Sequence, residues 1–296
     1  MRGLVNNNLI CYFNSVLQCI LQCPFLTNYF LHRGEHIFPL PVNTIYTGMT
    51  KEMWLSNSRD TVDPYPLLRE LQQFSKKFPL NQQHDAHECL IYLIDMFHST
   101  TKNKRFYLAR KILTDIYEDE KTLRVWTEKF RNDHSLVSSI FRGTIRSTLI
   151  VKKHNKVEKS HQYQHFHCLS VPIKHTSSLH EGIESYMSQT PVEVDKKKGF
   201  LQHKIVEFPK CIIFHLMRFE TIGDQNIKID KFYSIPDKIF NHELYAVCSH
   251  RGSLDTGHYV SYVKHLSKWY LKDDEKVYKA KLNTKNAYIL FYKKIE

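Results

Sequence analysis

Residues 3–18 read Gly3-Leu4-Val5-Asn6-Asn7-Asn8-Leu9-Ile10-Cys11-Tyr12-Phe13-Asn14-Ser15-Val16-Leu17-Gln18. From Phe13 onward the apolar positions Phe13, Val16, Leu17, Ile20 and Leu21 recur at helical spacing, and Pro24 ends the pattern. The spacing predicts a helix that begins at or just before Cys11. A cysteine there faces the positive end of the helix dipole and the unpaired N–H groups of the first turn, which favour thiolate over thiol. Cys11 is therefore a candidate nucleophile, although a cysteine at a helix start is also a common packing residue. Asn14, Ser15, Gln18 and Gln22 interrupt the apolar stretch at polar-face spacing, so it reads as an amphipathic helix rather than a signal peptide. No uniformly apolar run is long enough to span a bilayer, and no membrane association is expected.

A partner for Cys11 comes late in the chain. Asp255-Thr256-Gly257-His258-Tyr259 leads into a β-rich run, followed by Trp269 and then Asp273-Asp274. A histidine on one strand and a carboxylate at the end of the next lie on neighbouring strands of a hairpin, where side chains on one face come within hydrogen-bond reach. A Cys–His–Asp set needs that arrangement, because the carboxylate fixes the imidazole's tautomer while the imidazole takes the thiol proton.

Between these ends the patterning changes once. Leu67, Leu68, Leu71 and Phe74 share one helical face, and Ala86, Cys89, Leu90, Leu93, Ile94 and Phe97 form a second stripe entered through Asn81-Gln82-Gln83-His84-Asp85. Residues 33–63, with prolines, Gly48 and polar clusters, predict loop with at most short helices. Beyond Phe141 come short β-rich runs at 144–151, 165–173, 211–219, 244–250, 258–264, 268–271 and 287–293, with Gly252, Asp255 and Gly257 at turns. A helical first hundred residues followed by an antiparallel sheet predicts an α+β fold with its site in the cleft between the halves.

At 296 residues and 42% hydrophobic content, the chain can bury the core of one domain or of two closely packed subdomains. Seven cysteines, an odd number in a chain that needs no disulfides, fit reduced thiols in cytoplasm or nucleus. Cys89, Cys168, Cys211 and Cys248 sit in apolar patterns and read as packing residues. The net charge of +12 raises a nucleic-acid partner, but the basic residues are scattered, with short runs at Lys152-Lys153 and Lys196–Lys198. With no nucleic-acid module in the sequence, these runs read as solvated loops.

Taken in order, five motifs resemble the ubiquitin-specific protease family across nearly the whole chain. Residues 3–18 are similar to its cysteine box, G-L-x-N-x-G-N-T-C-Y-M-N-S-x-L-Q. Gln83-His84-Asp85-Ala86-His87-Glu88 resembles Q-Q-D-A-x-E, and Leu216-Met217-Arg218-Phe219 stands where the family has L-K-R-F. Tyr245-Ala246-Val247 with His250, Gly252 and Gly257-His258-Tyr259 resembles the histidine box, and Ala287–Tyr292 the last strand. The resemblance implies a papain-like fold, with a helical thumb at 1–100 and β-rich palm and fingers at 101–296. It implies Cys11 as nucleophile, His258 as base, Asp273 as the residue that orients it, Asp274 as an adjacent assisting acid and Asn6 as oxyanion donor. Asp85 and Glu88 would contact a basic modifier tail, and Tyr259 and Trp269 would line a narrow channel for its glycine-glycine end. The activity implied is cleavage of ubiquitin or a ubiquitin-like modifier from lysine side chains, without a cofactor.

Two departures bear on that expectation. The family's fingers carry two C-x-x-C pairs at zinc-ligand spacing, whereas the corresponding stretches here, 151–156 and 194–198, hold no cysteine pair. The histidines from His154 to His167, with Cys168, do not repeat as ligand pairs, so no metal site is expected. In the cysteine box, Asn8, Leu9 and Ile10 replace glycine, asparagine and threonine; asparagine at position 8 would tolerate a positive φ. The starts of the first two motifs and His215–Phe219 also resemble the branch acting on the interferon-induced, two-domain modifier. An inactive scaffold that holds a modifier in the same cleft is the alternative from another class.

Overall fold

A computed structural model describes residues 1–37, 40–102, 133–153, 156–194, 197–223, 225–253 and 256–295. His154, Asn155, Asp195, Lys196 and Asp255, which figure in the expectations above, lie outside them.

The helical half holds α1 (Cys11–Leu21), α2 (Pro24–Ile37), α3 (Pro41–Leu55), α4 (Tyr65–Phe74) and α5 (Ala86–Thr100). The loop expected over 33–63 is corrected: α2 runs to Ile37 and α3 fills most of the remainder. Pro41 stands in the first turn of α3, where its missing N–H costs nothing. The helix is held by tertiary burial, with Tyr46 edge-on to Phe30 (4.9 Å) and Phe97 (4.8 Å). The amphipathic reading of α1 is corrected too, since every one of its residues is buried. The helix is wedged between the other helices and the sheet, packing on α5 and on two central strands. Its polar residues are therefore internal ties: Gln18 Nε2 donates to the Arg2 carbonyl (3.1 Å) and Asn14 Nδ2 to the Val5 carbonyl (3.2 Å).

Two short helices follow, α6 (Leu136–Phe141) and α7 (Leu179–Met187), among strands β1 (Gly143–Lys153), β2 (Lys156–Phe166), β3 (Leu169–Pro172), β4 (Thr190–Val194), β5 (Lys197–Glu207), β6 (Cys211–Met217), β7 (Phe219–Ile222), β8 (Gln225–Lys228), β9 (Lys238–Ile239), β10 (His242–Arg251), β11 (His258–His265), β12 (Lys268–Asp273), β13 (Lys276–Lys279) and β14 (Ala287–Lys294). The main sheet has the order β13-β12-β11-β10-β14-β6-β3, with β9 added on β10. It is antiparallel except for the β3–β6 pair, which is parallel. The run expected over 165–173 is two strands broken at His167-Cys168, and β2, β4, β5 and both short helices come in addition to the expected elements. A separate four-stranded sheet, β2-β1-β5-β4, occupies the place expected of the fingers.

The period-two alternation of the main sheet divides the core in two. Ile213, Tyr245, Cys248, Val263 and Phe291 face the helices, while Ile212, Phe214, Val247, Tyr262 and Leu290 pack on the opposite face with Leu179 and Ile183 of α7. The mixed α+β architecture agrees with the sequence. No helix among the described residues is long and apolar enough to cross a membrane.

Candidate active site

α1 begins at Cys11 with no side chain capping its first turn, so backbone N–H groups at the helix start are left to the thiol and to whatever approaches it. Cys11 is 5% exposed. His258, the first residue of β11, stands close enough to Cys11 for the thiol to act on its protonation, and its Nε2 meets Asp273 Oδ1 at 2.6 Å. With Nε2 engaged by the carboxylate, Nδ1 is the nitrogen left for the thiol. Interaction with Cys11 first, and then with Asp273, pushes His258 up to about 9 against the opposing effect of burial. Gly257 permits the approach, because a Cβ there would stand 1.9 Å from His250 Nε2.

The two adjacent aspartates are divided between tasks. Asp273 holds His258. Asp274, at φ 47, turns the chain and accepts from Asn6 Nδ2 through Oδ2 (2.7 Å) and from Asn14 Nδ2 through Oδ1 (2.8 Å). Its backbone carbonyl accepts from the Leu4 N–H (2.8 Å), while Gly3 packs so tightly on the Glu275 backbone that a Cβ would lie 2.1 Å from the carbonyl oxygen. Asn6 Oδ1 in turn accepts from the Ile10 N–H (3.1 Å), leaving one hydrogen of its amide uncommitted among the described residues. In the loop 6–10 the positive φ falls on Leu9 (57°), not on Asn8.

Beside this centre lies a cavity of about 460 Å³ whose lining includes Asp85, His87, His215, His250, Tyr259 and Tyr288. Asp85 is the cap of α5: Oδ1 accepts from the Glu88 N–H (2.8 Å), and Oδ2 accepts from the hydroxyls of Tyr288 (2.5 Å) and Tyr259 (3.3 Å). Glu88 does not line the cavity and pairs with Lys77 at 2.7 Å on the exposed surface. Trp269 also lies outside the lining and packs against the second core. Of the four residues expected to meet a modifier tail, the fold brings Asp85 and Tyr259 to the cavity.

The histidines of the cavity were not foreseen. His87 and His215 stack at 3.9 Å, nearly parallel, and burial lowers both, His215 to about 3. Burial also lowers His250 to about 4. All three are neutral near pH 7 and serve as flat aromatic walls with hydrogen-bonding edges; His215 Nε2 and His250 Nδ1 are buried without a partner among the described residues. The available signal was parity, since His215 shares the strand face of Cys211 and Ile213, and His250 that of Cys248.

Among the described residues, the group with metal-holding spacing is His258, Asp273 and Asp274, whose atoms are already committed to the bonds above. The arrangement sets a thiol, an imidazole and a carboxylate in series beside unpaired backbone N–H groups at the helix start, the set of groups that nucleophilic acyl transfer uses.

The pattern of the ubiquitin carboxyl-terminal hydrolase family matches residues 2–292. The chain is 27% identical over 327 residues to ubiquitin carboxyl-terminal hydrolase Usp2 of Drosophila melanogaster, covering 99% of this chain and 34% of that protein. It is 25% identical over 336 residues to human ubiquitin carboxyl-terminal hydrolase 2, covering 99% and 55%. It thus spans about a third to a half of these relatives' lengths. In fold it is similar to a chain of the SAGA DUB module of Ubp8, Sgf11, Sus1 and Sgf73 bound to monoubiquitin, with TM-score 0.79, 19% identity and coverage of 100% of this chain and 69% of that one. A second structure of the module, bound to ubiquitin aldehyde, gives 0.77 at 19% identity, covering 100% and 70%. With the motifs in order and the family pattern spanning almost every residue, the chain belongs to the ubiquitin carboxyl-terminal hydrolase family.

Proposed function

We propose that this chain is a cysteine isopeptidase that hydrolyses the bond between the C-terminal glycine of ubiquitin, or of a ubiquitin-like modifier, and a lysine side chain. The observation that carries the reading is the series of Cys11 at an uncapped helix start, His258 close enough for the thiol to act on its protonation, and Asp273 on the imidazole Nε2 at 2.6 Å. The cavity lined by Tyr259, the neighbour of His258, receives the modifier's tail, with Asp85, Tyr259 and the neutral imidazoles as its walls.

Cys11 Sγ, as thiolate, attacks the glycine carbonyl carbon. The oxyanion that forms takes hydrogen bonds from the free Asn6 amide hydrogen and the N–H groups of the helix start. His258 gives its proton to the lysine nitrogen, the C–N bond breaks, and the target leaves as an amine while the modifier remains as a thioester on Cys11. Neutral His258 then takes a proton from water as the water attacks the thioester. Collapse of the second tetrahedral species frees the modifier's carboxylate and restores the thiol.

The test is covalent capture. Propargylamide probes of ubiquitin and of the interferon-induced two-domain modifier are incubated with the wild type and with Cys11→Ala. A wild-type adduct with either probe that is absent from the variant supports the reading and ranks the modifiers; no adduct with either, or equal labelling of both proteins, overturns it.

A further inference from the structure

Four lysines fall within residues 276–285, and the fold sets this stretch at one edge of the main sheet. β13 is the outermost strand of the main sheet and carries Lys276 and Lys279, and the segment after it carries Lys281 and Lys285. All four are exposed, and none forms an ion pair among the described residues. Between Glu275 and Glu296 the chain has no acidic residue. Tyr278, between the first two lysines, is 49% exposed. Lysine on an edge strand guards against pairing with another chain. That accounts for Lys276 and Lys279 but not for Lys281 and Lys285, which lie past the strand.

The position of this edge relative to the cleft indicates what it meets. In the order β13-β12-β11-β10-β14-β6, the cavity is lined from β11, β10, β14 and β6 by Tyr259, His250, Tyr288 and His215. His258 and Asp273 stand at β11 and β12, and Lys276 lies directly opposite Asp273 in the register of β12 and β13. The reacting groups therefore separate the cavity from the basic edge. On the function proposed above, the cavity side belongs to the modifier and the β13 side to the polypeptide that carries the conjugated lysine.

We propose that β13 and the segment through Lys285 dock an acidic stretch of the target polypeptide flanking the conjugated lysine. Its carboxylates neutralise four otherwise unpaired cations, and its backbone has the free edge of β13 to follow.

The test uses three substrates: ubiquitin joined at its C-terminus to a small fluorogenic amine, to a lysine in a peptide with acidic flanks, and to the same lysine with neutral flanks. The wild type is expected to favour the acidic conjugate by about tenfold in kcat/KM at low ionic strength, and to lose that preference at 0.5 M salt, on the order of where charges on a surface are screened within a few ångströms. Replacing Lys276, Lys279, Lys281 and Lys285 with alanine should abolish the preference and leave the small amide unaffected. Lys281→Glu and Lys285→Glu, outside the strand, should each weaken it if the fourfold variant fails to fold. Equal rates on both peptides in the wild type overturn the proposal. So does a preference that survives the substitutions, or tight binding of duplex DNA through these lysines with no peptide preference. Failure to cleave the small amide strikes the proposed function instead; fluorescence anisotropy with the free acidic peptide, on wild type and alanine variant, then decides the docking surface by itself.

Discussion

Asn6 and Asp274, 268 positions apart in sequence, are joined by a 2.7 Å hydrogen bond from the Asn6 amide to Asp274 Oδ2. The bond aims the proposed oxyanion donor from the strand end that also carries Asp273. One dipeptide thereby fixes both the base and the donor, through two different carboxylates. On the proposed function, Asp274 is a positioning residue acting through Asn6, and Asp273 acts through His258.

The two roles are separable by pH profile. Asp273 is one of the groups that raise His258 to about 9. Removing its charge lowers that pKa, so the imidazolium paired with the thiolate is lost at lower pH. Asp273→Asn should move the alkaline limb of kcat/KM down by about one pH unit, the size of effect a neighbouring charge exerts. Asp274→Asn should leave that limb in place and lower kcat about ten- to a hundredfold, less than the loss of an oxyanion donor itself. Identical profiles for the two variants would contradict this division.

Leu9 and Leu266 both hold a left-handed backbone, with φ of 57° and 45°, and both are exposed, at 51% and 82%. A leucine gains no burial there to offset the conformational cost, which for non-glycine residues is roughly 1–2 kcal/mol. Asparagine adopts this region more readily, so Leu9→Asn and Leu266→Asn should each stabilise the fold by about 1 kcal/mol in urea unfolding. Leu266 lies in the two-residue turn between β11 and β12, where both central residues, Leu266 and Ser267, have positive φ. No gain from either change would mean that the leucine side chains make compensating contacts.

What could be read from the sequence followed burial pattern and local geometry. The Cys11 helix is legible from large apolar residues at helical spacing, and strands β6, β10, β11 and β14 from short apolar runs buried on both faces. α3 is not, because Pro41 and Gly48 imitate loop punctuation while its stability comes from Tyr46, Met49 and Met53 packing on distant helices. β2 and β5 escape because strands exposed on one face carry lysine and glutamine where a pattern search expects apolar residues. Asp273 could be singled out by its place on the hairpin, but the attachment of Asp274 to Asn6 and Asn14 depends on long-range topology that no local spacing encodes. Asp85 and Glu88 look alike one helical turn apart, yet the fold turns one into the cavity and the other toward Lys77.

Lys272 yields the sharpest stability test. It is 3% exposed, and its Nζ donates to Gln18 Oε1 (2.5 Å) and to the Arg2 carbonyl (3.3 Å), with Met53 Sδ at 3.9 Å. Burial lowers it to about 7, only weakly opposed by Cys19. An unfolded lysine titrates near 10.4. Below pH 7 the folded protein must therefore carry a buried charge that the unfolded chain carries in water, and the penalty is at its full size. As pH rises from 7 toward 10.4 the folded amine is already neutral while the unfolded one remains charged, and the penalty fades. This group alone makes the fold more stable with rising pH across that window. Lys272→Met keeps the length of the side chain and removes the charge, at the expense of the bond to Gln18, which is worth about 1 kcal/mol. Thermal unfolding should show the variant more stable than wild type at pH 6, by on the order of 2 kcal/mol after that loss, with the gap closing by pH 9.5. A gap independent of pH would mean that Lys272 titrates alike in the folded and unfolded protein, solvated through an opening beside α1, and its burial would then carry no electrostatic cost.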